Sequence, residues 1–540
     1  MMFTIQNLSY THPDKILLFS NINLTVNPNE KIALIGNNGS GKTTLLKIIA
    51  GELQSSDGIL KTDAKPYYIP QIFGQYDHLT IAEALQIDHK LDALHEILNG
   101  NVSKKNYELL DDDWTIEERC TAALNEWQLS GLYLSQKIES LSGGQKTKVF
   151  LAGISIHQPE LVLLDEPSNH LDIPGRQYLY DFIENTKCTL LVVSHDRKLL
   201  NHLNVVCELT KHGITVYGGN YDFYKEQKQI KVSVLAQDIQ SKEKALKKAR
   251  EKERKTIERR QKLDARAKKN LANAGLPKIV ANTLRNSAEK STAKIEGAHA
   301  EKTGNISQEL QELRSSLPGI DKMKFGFDDS GLHQGKILFT ATAINFSYEN
   351  EKYVWSEPLS LQITSGERIA IKGSNGSGKT TLINIILGNL IPQTGTVIAA
   401  ENKSIYIDQD YSLINNELTI YEQAVRFNSS TLLEHEIKIR LNRFLFTKED
   451  WDKPCTTLSG GERMRLMICC LNIADKSPDI IVLDEPTNNL DIQNIEILTQ
   501  AINEYQGTLL VISHDETFLE QINIERTIEL SINSIIKRIE

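Results

Sequence analysis

Two glycine-rich segments, GNNGSGKT at 36–43 and GSNGSGKT at 373–380, each follow a short apolar run and precede a second one of helical composition. Residues of these types in this order handle phosphate. Glycines let backbone N–H groups turn inward on an anion, the lysine reaches the outer phosphates, and the hydroxyl after it can ligate Mg²⁺. The candidate cradles are Gly36, Asn37, Asn38, Gly39, Ser40, Gly41, Lys42, Thr43 and Thr44, and Gly373, Ser374, Asn375, Gly376, Ser377, Gly378, Lys379, Thr380 and Thr381. In LVLLDEP at 161–167 and IIVLDEP at 480–486 an apolar run ends in two acids. Phosphoryl transfer needs charge neutralisation and an oriented nucleophile, so Asp165 and Asp484 are expected to hold Mg²⁺ while Glu166 and Glu485 polarise the attacking water. His195 and His514, each just after a further apolar run, suit contact with a γ-phosphate.

These residues occur twice because the chain repeats itself. ALIGNNGSGKTTLLKIIAG at 33–51 returns as AIKGSNGSGKTTLINIILG at 370–388, and LSGGQ at 141–145 returns as LSGGE at 458–462. Register holds over long stretches: Lys42 to Gln71 spans 29 residues and Lys379 to Gln409 spans 30, while Glu166 to His195 and Glu485 to His514 both span 29. The elements that position the chemistry are therefore those of one α/β fold used twice. ELVLL and CTLLVVS lack polar alternation and are expected as fully buried parallel strands. The registers part in one place, since Lys42 to Ser142 spans 100 residues and Lys379 to Ser459 spans 80. The extra residues of the first half are expected within 88–130.

The paired LSGGQ and LSGGE loops resemble the signature of ABC ATPases. That resemblance implies two nucleotide domains packed head to tail, so that Ser142, Gly143, Gly144 and Gln145 close over ATP held by Lys379, and Ser459, Gly460, Gly461 and Glu462 over ATP held by Lys42. It also implies Gln71 and Gln409 as glutamine-loop residues that share in binding ATP and its metal, and Tyr10 and Tyr348 as adenine-stacking aromatics.

Between the halves the composition changes. Residues 225–300 hold 21 Lys plus Arg against 9 Asp plus Glu, whereas the whole chain has a net charge of −9. Polyanion binding, if present, is thus localised to this segment. Residues 225–272 contain no Gly or Pro and predict one helix of about 70 Å. Leu235, Ile239, Leu246, Ala249, Ile257, Leu263, Ala267 and Leu271 form a thin apolar seam suited to a two-helix hairpin. NAGLPK at 273–278 breaks the helix, and a second helix is expected over about 283–316. The expected organisation is α/β: two P-loop ABC-type nucleotide-binding domains at 1–224 and 323–540, joined by a helical hairpin linker at 225–322 with its tip at about 273–285.

This layout, the extended signature LSGGQKTKVFLA at 141–152 and the NHLD element at 169–172 resemble the F class of ABC ATPases along essentially the whole chain. The resemblance implies ATP and Mg²⁺ as ligands and binding of the 70S ribosome near the tRNA exit site. The linker would reach P-site tRNA and 23S rRNA at the peptidyl-transferase region through Leu276, Pro277, Lys278, Ile279 and Leu284. The extra stretch of the first half would be the family's arm. The long linker is more similar to the antibiotic-resistance ribosome-protection branch than to housekeeping translation factors. An ATP-binding subunit of a membrane exporter is the rival reading, and a non-catalytic scaffold a third.

Bulk properties narrow the classes further. No apolar run approaches the roughly 20 residues a bilayer requires, and the first residues, MMFTIQNLSYTHPDK, show no signal peptide. The six cysteines are scattered without zinc or disulfide spacing, as expected of reduced core thiols. A cytoplasmic monomer, its two nucleotide domains paired within the chain, is the expectation.

Overall fold

The computed structural model describes residues 2–273, 301–314, 333, 335–348, 352–374, 376–429, 432–474, 477–488 and 490–530. The chain divides into two compact units, Met1–Phe223 with Met323–Glu540, and Tyr224–Lys322. Leu276, Pro277, Lys278, Ile279 and Leu284 of the expected tip, and Asn375 of the second phosphate loop, lie outside the described residues.

In the first half the strands are β1 (Phe3–Thr11), β2 (Leu17–Val26), β3 (Lys31–Ile35), β4 (Asp57–Thr62), β5 (Tyr67–Ile69), β6 (Leu161–Asp165), β7 (Thr189–Val193), β8 (Val205–Thr210) and β9 (Gly213–Tyr217). They build an antiparallel sheet in the order β2-β1-β4 and a core sheet in the order β5-β6-β7-β3-β8-β9. Strands β5, β6, β7, β3 and β8 run parallel. β6 and β7 are buried along their whole length, which is why their sequences are continuous apolar runs. The second half repeats this with β10 (Ile337–Asn345), β11 (Leu359–Thr364), β12 (Arg368–Gly373), β13 (Thr394–Ala399), β14 (Ser404–Ile407), β15 (Ile480–Asp484), β16 (Thr508–Ile512) and β17 (Arg526–Leu530). Their sheets are ordered β11-β10-β13 and β14-β15-β16-β12-β17.

Each core packs the helix after the phosphate loop between the two sheets. In Lys42–Ala50 the buried residues Leu45, Leu46, Ile48 and Ile49 join Phe3, Phe19 and Leu163 in one cluster. Complete burial of Leu45 and Leu46 stabilises this docking by about 2 kcal/mol per side chain. The second core repeats the arrangement with Leu382, Ile383 and Ile385 against Phe339 and Val482.

The halves differ between their edge strand and β6 or β15. The second half has the helices Ile420–Arg426, Glu434–Arg443 and Gly460–Ile473 there. The first half adds the pair Asp88–Leu98 and Lys104–Leu110 before Ile116–Glu126, inside the stretch where the extra residues were expected. The pair buries Leu91, Leu94, Ile97 and Leu110. Asp113 fastens it, accepting bonds from Arg119 Nη1 and Nη2 at 2.9 and 2.7 Å and from Lys90 Nζ at 3.1 Å.

Helix Tyr221–Asn273 supplies most of the described residues of the second unit. A helix at 301–314 returns beside it, pairing Glu309 with Lys242 and Arg314 with Glu243. Leu246 and Leu310 line the groove where the two helices meet, and Leu310 is buried. The seam is thin, for Leu263 is exposed. Lys248, Lys252, Lys255 and Arg259 face solvent.

Candidate nucleotide-binding and hydrolysis site

Parallel pairing of β6, β7 and β3 brings three chain segments to one edge of the core sheet: the loop after β3, the acids ending β6, and the histidine beyond β7. Ligands of open α/β sheets bind at such carboxyl ends. The phosphate loop is held in shape from inside. Lys42 Nζ donates to the carbonyls of Gly36 and Asn37 at 2.7 and 3.2 Å, and Lys379 Nζ to those of Gly373 and Ser374 at 2.8 and 3.0 Å. Gly41 precedes the helix at φ +95°, where a Cβ would stand 2.7 Å from the Phe19 ring, so only glycine fits. The buried hydroxyls of Ser40 and Ser377 have no partner, as suits groups facing an anion.

The metal-site expectation rests on oxygen donors at this edge. Thr43 bonds to the Asp165 carboxylate, whose Oδ1 is buried and unpartnered, and Tyr68 O–H donates to Asp165 Oδ2 at 3.4 Å. In the second half Tyr406 O–H donates to Asp484 Oδ2 at 2.7 Å, and Thr380, Gln409 and Asp484 line one cleft. Gln71 and Gln409 follow the ends of β5 and β14 by two residues, each beside an acid-bearing strand. A hydroxyl and a carboxylate with a free oxygen are hard donors that fit Mg²⁺, and ATP phosphates would complete its shell.

Beside each carboxylate stands the same dyad. The Glu166 backbone lies at φ +51° and that of Glu485 at φ +47°, a left-handed turn, and both side chains meet the loop beyond β7 or β16. His195 N–H donates to Glu166 Oε2 at 3.2 Å and His514 N–H to Glu485 Oε2 at 3.3 Å. The imidazole Nε2 atoms lie 3.4 and 3.3 Å from the other carboxylate oxygens. Burial pushes Glu485 up to about 7, and burial with neighbouring Asp165 raises Glu166. Burial lowers His514 to about 4 and holds His195 well below its ordinary value. The imidazoles are therefore neutral at pH 7, able to donate or accept one hydrogen bond without competing for a cation's place.

A cleft of about 770 Å³ joins the halves. Ser142, Gly143 and Gly144 of the first face Lys379, Thr380, Gln409, Glu485 and His514 of the second. At the other phosphate loop the second half approaches through Asp491, whose Oδ2 accepts the Asn38 N–H at 2.8 Å. Ser142 and Ser459 cap the helices Gly143–His157 and Gly460–Ile473, while Gln145 and Glu462 fold back onto the serine N–H groups to complete capping boxes. These two side chains, expected near ATP, are thus engaged on their own helices. Tyr348 borders the cleft, half exposed, with its O–H 2.9 Å from Thr381 Oγ1. Tyr10 packs on the core, 6.2 Å from the Phe19 ring.

Sequence reasoning passed over Asp491 and Arg176. The NHLD element at 169–172 held the signal for the first, since Asp172 and its counterpart Asp491 are N-caps, a position whose carboxylate has a second oxygen to offer elsewhere. Arg176 had none, because nothing in its spacing tells that it lines a cleft with Lys379.

The fold and this site define a tandem ABC-type protein with two ATP-binding domains. The family model described as ABC transporter matches residues 19–169 and 356–488. The chain is 32% identical to "Putative ATP-binding protein YdiF" of Bacillus subtilis (strain 168), over 99% of this chain and 81% of that protein. It is 30% identical to "ABC transporter F family member 5" of Arabidopsis thaliana, over 95% of this chain and 73% of that protein. The chain belongs to the ABC-F family. Its fold is shared with a solved complex of archaeal ribosomal stalk protein aP1 and archaeal ribosome recycling factor aABCE1, at TM-score 0.59 and 19% identity, covering 97% of this chain and 87% of the other. A model of ribosome-bound archaeal Pelota and ABCE1 is similar at TM-score 0.58 and 19% identity, over 97% of this chain and 76% of the other. Among the described residues no helix is long and apolar enough to cross a membrane.

Proposed function

We propose that the chain converts ATP and water to ADP and phosphate at two sites, each shared between the domains 1–224 and 323–540. The observation that carries this reading is the cleft in which Ser142 and Gly144 face Lys379, Glu485 and His514. In the step itself the water oxygen bonds to the γ-phosphorus and the bond to the β–γ bridging oxygen breaks, its electron pair leaving with ADP. The water proton passes to Glu485 in one site and Glu166 in the other. Mg²⁺, held by Thr380, Gln409 and Asp484, or by Thr43, Gln71 and Asp165, would neutralise phosphate charge. His514 and His195 orient the glutamates and contact the γ-phosphate. Stopping hydrolysis should lock the halves together around ATP.

The target of that motion is the ribosome, in the cytoplasm, with the linker 225–322 of a monomeric chain acting near the tRNA exit site on P-site tRNA and 23S rRNA at the peptidyl-transferase region. The exposed lysines of the long helix support this reading, since phosphate contacts by Lys and Arg dominate affinity for RNA. So does membership of the F family, and two solved structures that share this fold are a complex with a ribosome recycling factor and a ribosome-bound complex. Protection of the ribosome from antibiotics is the cellular outcome we assign.

Glu166→Gln with Glu485→Gln should co-sediment with 70S ribosomes in ATP and inhibit translation in vitro. Unchanged sedimentation would sink the ribosome assignment. Expression in a susceptible bacterium should raise inhibitory concentrations of lincosamides, pleuromutilins, streptogramins A or phenicols. Ribosome trapping without any protection would identify a housekeeping translation factor instead.

A further inference from the structure

The two halves do not contribute equally to each other's sites. Arg176 lies one helical turn past the cap Asp172. Its side chain is 11% exposed. The guanidinium is held by its own half: Nε donates to the Leu171 carbonyl at 3.2 Å, and Nη1 stands 3.6 Å from Asp196 Oδ2, which also accepts the Tyr180 O–H at 2.6 Å. Yet it lines the cleft of the other half, with Gly378, Lys379, Glu485 and His514.

Its charge is felt there. Glu485 is faced by Asp484, Lys379, the His514 N–H and Arg176, so that a cation from each half acts on it. His514 is faced by Arg176, Lys379, Asp172 and Lys372. In the first-half site, by contrast, Glu166 is faced by Asp165, Lys42, Asp196 and the His195 N–H. The repeat puts Ile495 where the first half has Arg176, each four residues past its aspartate, and Ile495 is 1% exposed. An apolar buried residue offers no charge to the first-half nucleotide.

We infer that Arg176 binds the terminal phosphate of the nucleotide held by the second half, from across the interface, and that among the described residues its place at the first-half site is taken by the uncharged Ile495. This rests on the shared-site reading above. A planar guanidinium already oriented by Leu171 and Asp196 loses little freedom on engaging a phosphate oxygen. ATP presents that oxygen, and ADP ends one phosphate short of it. The second-half site therefore discriminates ATP from ADP more strongly than the first.

The test uses the full chain with Mg²⁺ and fluorescent N-methylanthraniloyl-ATP and -ADP. Lys42→Ala with Glu485→Gln leaves the second-half site to bind without turnover. Adding Arg176→Gln should weaken ATP by about tenfold, the size of one charge-assisted hydrogen bond, and leave ADP affinity where it was. Arg176→Lys, which keeps the charge without the oriented fork, should recover only part of the loss. In the mirror chain, Lys379→Ala with Glu166→Gln, the ATP loss from Arg176→Gln should be several-fold smaller. Equal weakening of ATP and ADP, or equal loss in both chains, would overturn the inference by reducing Arg176 to a structural brace. No effect of Arg176→Gln in a parent that binds ATP overturns the inference alone. A parent that binds no ATP overturns the shared-site reading with it.

Discussion

The Asp491 carboxylate accepts the backbone N–H of Asn38 at 2.8 Å, across 453 residues of sequence. The same side chain caps the helix Ile492–Glu504 through the Asn494 N–H at 2.8 Å. One carboxylate thus ties the start of a second-half helix to the phosphate loop of the first half.

Asp491→Ala removes both bonds. It should cost about 1 kcal/mol of helix stability and weaken ATP binding at the Lys42 site more than at the Lys379 site. Asp491→Asn keeps an acceptor for one of the bonds and should fall between. Nucleotide titration of chains with one lysine replaced checks this, and equal effects on both sites would refute it.

Arg197 is 5% exposed and donates to Gln521 Oε1 at 2.7 Å, while Lys198 meets Glu516 at 2.9 Å. Both contacts cross between the halves. The Lys198–Glu516 pair is about half exposed, so Lys198→Glu alone should cost no more than about 1 kcal/mol, with Glu516→Lys restoring it. Arg197→Ala should cost more, because Gln521 then loses a buried partner. Denaturant unfolding in low and high salt separates them: the first effect shrinks with salt and the second does not.

The Glu–His dyads predict an unusual pH response of the nucleotide-free chain. His514 falls from its ordinary 6.5 to about 4, so the unfolded chain binds the extra proton between those values and stability drops as pH falls from 6.5 toward 4. Glu485 rises from 4.5 to about 7, so the native chain binds the extra proton and stability drops as pH rises from 4.5 toward 7. The slopes oppose and largely cancel. Glu485→Gln removes one, leaving the histidine to cost on the order of 3 kcal/mol between pH 7 and 4. Unfolding free energies of both proteins across that range check it; parallel curves would contradict it.

Asp113 holds the helix pair peculiar to the first half through Arg119 and Lys90, with its side chain 12% exposed. Asp113→Ala should loosen residues 88–110 by about 2 kcal/mol while leaving ATP binding intact. Hydrogen exchange should rise in that stretch alone. A uniform rise across the first half would show that the pair belongs to the global core.

Much of the site was legible because its chemistry is local. The described residues of the phosphate loops, the acids ending β6 and β15, and the histidines 29 residues after the glutamates occupy the same sheet edge in both halves. The buried strands were legible for the same reason, since a strand covered on both faces has no polar alternation to hide it. Ser142 to Gln145 and Ser459 to Glu462 have the spacing of capping boxes, but the same residues form the signature loops, so spacing alone does not tell a helix cap from a nucleotide contact.

Residue identity and spacing therefore dictated the kind of chemistry, its duplication, and the helical character of the basic segment. All of these depend on interactions between near neighbours in the chain, which leave a periodic mark. The tertiary structure alone could place Asp491 on Asn38, set Arg176 at a cleft with Lys379 and Glu485 of the other half, and set Tyr348 at that cleft while Tyr10 packs on a core. The first two of these join residues hundreds of positions apart, and they exist because the two halves meet edge to edge at their phosphate loops. No repeat or spacing within either half encodes which side chains meet there.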